Sequence, residues 1–351
     1  MRIIDFKLSR IKAELKKPFI TNIRRVDVIE DVALTLIADD GTLGYGEAPP
    51  TVAITGEDIG SIERAIKERI FPAIRGLELE GDDIFEALHT SIDKNSSAKA
   101  CVDMAIYDIL AKSDAKPLYE YLGGKHKSLQ TNLTISLKDN AEMLKDAIEA
   151  YNSGFEILKI KVGQDKDDAI KAIQNIRDAL PSAVLRVDAN QAWDAKSGLK
   201  IIERIAPLDI ELIEQPTKAD DLAGLKEITA RSAIPILADE SVFGYKDAAR
   251  ILDEQIADYI NIKLMKTGGI YEAAKIAKLA KERGAKVMMG SMLESVVSIS
   301  AAAHFAMSDE NICFYDLDGP LLAKPSTTTN ALLFDKDAIT LSKCVGLGVS
   351  I

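Results

Sequence analysis

The run FEILKIKVG at 155–163 sets Lys159 and Lys161 among five apolar residues. Side chains two apart on a β-strand point to the same face. Both ammonium groups therefore project together, on a segment whose neighbours look buried. Lysine is almost never fully buried without a partner. Either the long stems carry the charges to the strand end and water, or something anionic waits inside.

Other short apolar runs carry polar residues at the matching place. AVLRVDA (183–189) ends near Asp188, IELIEQP (210–216) holds Glu214, IPILADE (234–240) holds Asp239 and YINIKLM (259–265) holds Lys263. Successive steps between these four residues are 26, 25 and 24 positions. AKVMMGS (285–291) adds Ser291, and ICFYDLD (312–318) adds Asp316 and Asp318. Residues recurring at one place in a repeated unit form a ring around one mouth. Three carboxylates converging there repel one another and need a cation. An all-oxygen set without Cys or His selects a hard ion, Mg²⁺ first and Mn²⁺ second, one per subunit. Lys161 stands on one side of this centre and Lys263 across from it, so a substrate carboxylate bound between them lies between two amines.

That arrangement suits removal of a proton next to a carboxylate. The proton is a very weak acid, because its loss makes an enediolate dianion, and a divalent ion at the developing charge is the usual remedy. A lysine serves as base only when its pKa falls toward neutrality. A second ammonium two residues away, Lys159, and a nearby Mg²⁺ both push in that direction.

Positioning such a ring requires regular elements. With NLTIS (132–136) and EILKIKV (156–162), the apolar runs number eight. Amphipathic stretches such as DDAIKAIQNIRDAL (167–180) and IYEAAKIAKLAKER (270–283) lie between most of them. Strands alternating with helices define an α/β chain of the TIM-barrel type, with its site at the C-terminal strand ends. An open doubly wound sheet competes, but no GxGxxG follows an early strand. No good helix follows the eighth strand, so a modified barrel is expected over 126–324, with the last segment, about 325–351, returning to the N-terminal part. Residues 1–125 read as an α+β domain: strand-like segments, then helical patterns at about 57–75, 82–92 and 97–113, with LGGK (122–125) as a glycine-capped helix end.

Of the 351 residues 47% are hydrophobic and 28% charged, ordinary for a globular chain. The net charge of −11 argues against nucleic acid or an anionic membrane as partner. Cys101, Cys313 and Cys344 are odd in number, far apart, and read as small buried hydrophobes. With only three histidines, zinc chemistry is disfavoured. The N-terminus alternates like a strand without an apolar signal core, and no run of about 18 apolar residues exists, which points to the cytoplasm. His304 in AAAHFA reads as a satisfied helix residue, and Trp193 and Tyr315 as packing. Ser291 and Glu294, in GSMLES, are balanced between a site role and a helix start.

KIKVG, VDANQAW, IEQP, ADES and NIKLMKTGG resemble the enolase superfamily, specifically its muconate-lactonising-enzyme-like subgroup. GYGEAPPTVAITGE (44–57) and SSAKACVDMAIYD (96–108) extend the resemblance over nearly the whole chain. It implies an α+β capping domain on a (β/α)7β barrel, with a small-molecule substrate between them and a homo-oligomeric assembly. A lysine base beside Mg²⁺ belongs to that superfamily, so this mechanism comes with the resemblance. Carried over residue by residue, Asp188, Glu214 and Asp239 match the Mg²⁺ ligands, Lys161 and Lys263 the acid/base pair, and Lys159 the partner that tunes Lys161 and holds the substrate carboxylate.

Within the subgroup, FYDLDGP matches the Asp-x-Asp of dipeptide epimerases, which holds the ammonium of the N-terminal amino acid; here these are Asp316 and Asp318. FITNIRRVD (19–27) falls at the family's specificity loop. Arg24 matches an arginine that binds a glutamate side-chain carboxylate, with Arg25 as the alternative; a guanidinium suits a carboxylate bidentately. The resemblance therefore implies an isomerase, an epimerase of L-Ala-L-Glu and L-Ala-D-Glu in murein peptide metabolism. The alternatives are a dipeptide with Asp or an apolar residue second, an o-succinylbenzoate synthase or N-acylamino-acid racemase, and a non-catalytic binding barrel.

Overall fold

The computed structural model describes residues 1–324 and 331–351. The chain opens with a three-stranded antiparallel sheet, β1 (Ile3–Ile20), β2 (Arg25–Ala38) and β3 (Leu43–Ala48), in that order. β1 and β2 form one long hairpin whose register runs from Ile3↔Ala38 to Ile20↔Arg25. At about 3.3 Å per residue, an 18-residue strand spans roughly 60 Å. Its closed end therefore reaches the barrel, where Leu137 N donates to Ile20 O at 2.9 Å.

Helix Ser96–Ser113 packs under this sheet and is buried along most of its length. LGYGEA supplies the close approach. A Cβ on Gly46 would lie 1.9 Å from Cys101 O, and one on Gly44 would lie 2.1 Å from Ala105 O. Only glycine lets strand and helix backbones meet at this distance.

After β4 (Leu129–Gln130) comes an eight-stranded parallel sheet in sequential order. Its strands are β5 (Leu133–Ile135), β6 (Ile157–Lys161), β7 (Val184–Asp188), β8 (Ile210–Glu214), β9 (Ile236–Ala238), β10 (Tyr259–Lys263), β11 (Val287–Gly290) and β12 (Ile312–Asp316). Each falls in one of the eight apolar runs. β5 and β12 meet through Asn132 N, which donates to Tyr315 O at 3.2 Å. Side chains complete this seam: Leu317 N donates to Thr131 Oγ1 at 2.9 Å and Thr134 N to an Asp318 carboxylate oxygen at 2.7 Å. Seven connections contain helices of nine residues or more, and β12 is followed only by the short Gly319–Leu322 turn of helix, which is the (β/α)7β arrangement. Asp139, Asp165, Asp194, Asp221 and Ser295 cap helices that start beyond the mouth loops, each cap contributing about 1 kcal/mol.

Sheet domain and barrel are joined by buried acids that cap helices across the seam. Glu47, after β3's second glycine, accepts from Ser295 N, Ser295 Oγ and Ser298 N at 2.7–2.9 Å, at the start of helix Val296–Ser308. Asp103 accepts from Ile270 N at 2.6 Å, at the start of helix Ile270–Glu282. Of the expected returning segment, 325–330 lies outside the described residues. Beyond it, β13 (Leu332–Asp335) and β14 (Ala338–Leu341) add to β4. The tail then reaches the cap helix, where Leu347 N donates to Asp108 Oδ1 at 2.8 Å.

Two cysteines differ from expectation. Cys101 is buried, but Cys313 and Cys344 are exposed. Cys313 sits at an outward position of β12, the one barrel strand with no long helix after it to cover that face. His304 is buried as expected, and its Nδ1 accepts from Tyr119 N at 3.0 Å. Trp193 is packed, with Nε1 donating to Gly163 O at 3.1 Å. No helix among the described residues is long and apolar enough to cross a membrane.

Candidate active site

The barrel register makes the ring explicit. Lys161 pairs with Asp188 across β6 and β7, and Asp188 with Glu214 across β7 and β8. Asp239 follows β9 directly, Lys263 ends β10, and Asp316 ends β12 opposite Gly290. β6 and β10 are four strands apart in an eight-stranded ring, so Lys161 and Lys263 face one another across the mouth.

A small cavity of about 40 Å³ lies between the mouth and the β1–β2 turn. Lys159, Lys161, Lys263, Ser291, Asp316 and Asp318 line it from the barrel, with Thr134, Asn190 and Glu240. Phe19, Thr21, Ile23 and Arg24 close it from the cap. A larger groove of about 940 Å³ runs outside the barrel between helices Ala195–Ile205 and Leu222–Arg231, but no inward strand-end residue lines it. The chemistry belongs to the smaller cavity.

Beneath the cavity wall, ammonium and carboxylate groups alternate. Lys159 Nζ lies 2.6 Å from Glu214, 2.7 Å from Asp316 and 3.0 Å from Asp188. Lys161 Nζ is 2.5 Å from Asp188, and Lys263 Nζ is 2.7 Å from Asp239. Burial works to lower the pKa of Lys159, but Asp188, Asp316 and Glu214 outweigh it and raise it well above the ordinary value. Lys263 behaves alike: Asp239 and Glu214 outweigh burial and hold it protonated. The opening puzzle is thereby resolved, since both buried lysines of KIK have acids for partners.

Several participants lie outside the expected set. Lys266 is buried, with Nζ 2.5 Å from Asp239 Oδ1. Asn261 Nδ2 donates to Glu214 Oε1 at 2.9 Å, and Asn190 Nδ2 to Glu240 Oε1 at 3.3 Å. Their signal was their place inside VDAN, ADES and NIKLMK, one to three residues from a residue already singled out. Ser291 is in the cavity, its Oγ donating to Asp316 O at 3.1 Å. Glu294 sits behind the wall, where it accepts from Met292 N at 2.6 Å and from Ser298 Oγ.

The turn of the hairpin separates the two candidate arginines. Arg25 is exposed and paired with Asp27 at 2.9 Å. Arg24 turns inward over the Phe19 ring, and its guanidinium has one long hydrogen bond, to Thr51 Oγ1 at 3.4 Å. Burial works against its charge, and Asp31, Glu294 and Glu240 offset that only in part.

A hard divalent ion fits this donor set in charge and type. Burial and the charge of Asp188 push Glu214 up to about 7, and burial with Asp239 does the same to Glu240, so the cluster carries more negative charge than its lysines neutralise comfortably. Asn190 Oδ1 and Glu240 Oε2 are buried oxygens without a hydrogen-bond partner among the described residues. As placed, no three acid, Cys or His groups among the described residues are gathered tightly enough to hold one ion. Ammonium groups engage Asp188, Glu214 and Asp239 instead.

Residues 3–123 match the family described as the mandelate racemase/muconate lactonizing enzyme N-terminal domain, and residues 142–351 the enolase C-terminal domain-like family. The L-Ala-D/L-Glu epimerase of Clostridium acetobutylicum is 42% identical over 99% of both chains. The solved substrate-liganded L-Ala-D/L-Glu epimerase of Bacillus subtilis is 43% identical over 99% of both chains, with a TM-score of 0.98. The dipeptide epimerase of Enterococcus faecalis, solved with Mg and L-Leu-L-Tyr, is 35% identical over the full length of both, with a TM-score of 0.97. The chain therefore belongs to the mandelate racemase/muconate lactonizing enzyme family of the enolase superfamily, and it is an isomerase.

Proposed function

We propose that the protein is a Mg²⁺-dependent dipeptide epimerase that inverts the α-carbon of the C-terminal residue by two-base proton transfer, with L-Ala-L-Glu and L-Ala-D-Glu as substrates. The observation that carries this reading is one cavity with Lys161 and Lys263 on opposite walls and an inward arginine on its cap side. Similarity to epimerases of L-Ala-Glu dipeptides supports the substrate.

Asp188, Glu214 and Asp239 would hold Mg²⁺. It would supply a fixed double positive charge against the carboxylate of the substrate as proton loss makes it a dianion. Lys159 lies beside the same acids and would share that carboxylate. For the L,L substrate Lys161, at one wall, removes the α-proton of the C-terminal residue. Lys263, kept protonated by Asp239, delivers a proton to the opposite face. The enediolate between the two steps is planar at the α-carbon, so the face that receives the proton sets the product. Asp316 and Asp318, after β12, are the pair whose position suits the N-terminal ammonium, which an acyl amino acid or a lactone lacks. Arg24 in the lid takes the glutamate side-chain carboxylate.

The test is proton NMR of the protein with Mg²⁺ and L-Ala-L-Glu in D₂O. Loss of the glutamate α-proton signal with growth of the L,D diastereomer is expected, stopping on chelation of the metal and returning with added Mg²⁺. Absence of exchange with this and every other dipeptide would overturn the reading in favour of the lyase alternative.

A further inference from the structure

Behind the cavity, the barrel interior holds a line of polar groups that the reaction as written does not use. Arg186 on β7 is 3% exposed and Asn132, just before β5, is fully buried. Arg186 Nε donates to Glu211 Oε2 at 2.6 Å, and its Nη1 to Asn132 Oδ1 at 3.1 Å and to Tyr315 O at 3.1 Å. Asn132 Nδ2 donates to Asp316 Oδ1 at 2.7 Å. Asp316 Oδ2 in turn accepts from Lys159 Nζ at 2.7 Å. We propose that Asn132 and Arg186 are positioning residues: the hydrogen-bonded chain Glu211–Arg186–Asn132–Asp316–Lys159, buried from Arg186 onward, fixes the Lys159 ammonium for its role in the proposed epimerisation, on which this inference rests.

Chemistry fixes the direction of the chain. A guanidinium can only donate, so the asparagine oxygen must face Arg186 and its amide N–H₂ must face Asp316. Asp316 thus receives one donor on each oxygen. On its other side Lys159 is drawn toward Asp188 and Glu214, the acids that a divalent ion would take. Asp316 is the partner that remains to it, and an aspartate held by a rigid amide holds better than one free to rotate.

The Asp-x-Asp pair then divides its work. Asp316 clamps the lysine, while Asp318 is the member left to face the N-terminal ammonium of the substrate. Burial with the charge of Asp316 pushes Asp318 up to about 6, which favours a cation at that place.

A double-mutant cycle on Asn132→Leu and Asp316→Asn tests the chain, reading kcat and KM for L-Ala-L-Glu together with Tm. Asn132→Leu is expected to lower kcat by about 10- to 100-fold, as loss of a supporting hydrogen bond behind a site does. The double variant is expected to be no worse than the weaker single, because both cut one chain. Arg186→Lys, which keeps charge but loses the fork, should fall between wild type and Asn132→Leu. Losses that multiply, or a lowered Tm with kcat within twofold of wild type, would mean that Asn132 only seals the β5–β12 seam and would overturn the inference. Should Asn132→Leu fail to fold, Asn132→Ser carries the same expectations. Should wild type exchange no α-proton with any dipeptide, the proposed function fails on its own. The cycle is then read in unfolding midpoints, where additive shifts refute the chain.

Discussion

Arg24→Met is the substitution that most directly questions the substrate. Methionine keeps the apolar stem over Phe19 and removes the guanidinium. One long hydrogen bond, to Thr51, and a cation–π contact with Phe19 are lost with it, so the cost in the free protein is small. What the variant loses with substrate is a bidentate charge-assisted pair. At about 1.5 kcal/mol for each such bond net of water, the low end for charged groups, the loss is ~3 kcal/mol, or roughly a hundredfold in kcat/KM. The side-chain carboxylate does not change charge during proton transfer. Its contribution is equal in ground and transition states, so the loss should fall mainly on KM. Steady-state epimerisation of L-Ala-L-Glu and L-Ala-L-Leu, compared between variant and wild type, separates the outcomes. The expected result is a large KM rise for the glutamate dipeptide and an unchanged or improved kcat/KM for the leucine one. An effect under threefold on both, or an equal fall on both, would refute the assignment of Arg24 as the side-chain reader.

Other expectations follow from the same geometry. Lys161→Ala should abolish α-proton exchange from L-Ala-L-Glu while leaving slow exchange from the L,D epimer, and Lys263→Ala should do the reverse; each loss should reach about 10²–10⁴-fold by NMR in D₂O. Equal loss from both epimers in either variant would count against two bases on opposite faces. His304 should make the fold acid-sensitive. Burial lowers its pKa to about 3, below the unfolded value of 6.5, so the unfolded chain takes the proton first and stability falls as pH drops from 6.5 toward 3, by up to ~5 kcal/mol. Acid titration followed by circular dichroism should show a shallower loss in His304→Asn, whose Oδ1 can still accept from Tyr119 N. Gly46→Ala should lower Tm, because its Cβ meets Cys101 O and overpacking of this kind costs about 1–3 kcal/mol or more. An unchanged Tm would mean the sheet and cap helix can separate freely.

Much of this site was legible because a (β/α) unit repeats. Strand parity picked out Lys159 and Lys161, and near-constant spacing placed Asp188, Glu214, Asp239 and Lys263 at equivalent strand ends, where the structure puts them. The same parity applies to Arg186, two residues before Asp188 in VLRVD, and would have marked it as an inward cation. Glu47 and Asp103 were not legible: their helix-capping contacts join residues 248 and 167 positions apart, and no local pattern encodes that. Cys313 misled because an apolar run was read as covered on both faces, whereas β12 lacks its covering helix.

The placement of rigid and adaptable parts follows from these contacts. Asp188, Glu214, Asp239, Asp316, Lys159, Lys161 and Lys263 are buried and each has a charged partner, so a change there leaves an uncompensated charge in the interior, typically a loss of about 3–5 kcal/mol. Arg24, by contrast, sits in the tight turn of a hairpin and has little to hold it. The three-stranded sheet is held to the barrel elsewhere, through Glu47 on β3 and the contact of Ile20 with Leu137. Substituting the turn therefore leaves both these contacts and the proton-transfer ring in place. On this architecture the identity of the second residue can change at the cap while the chemistry stays in the barrel.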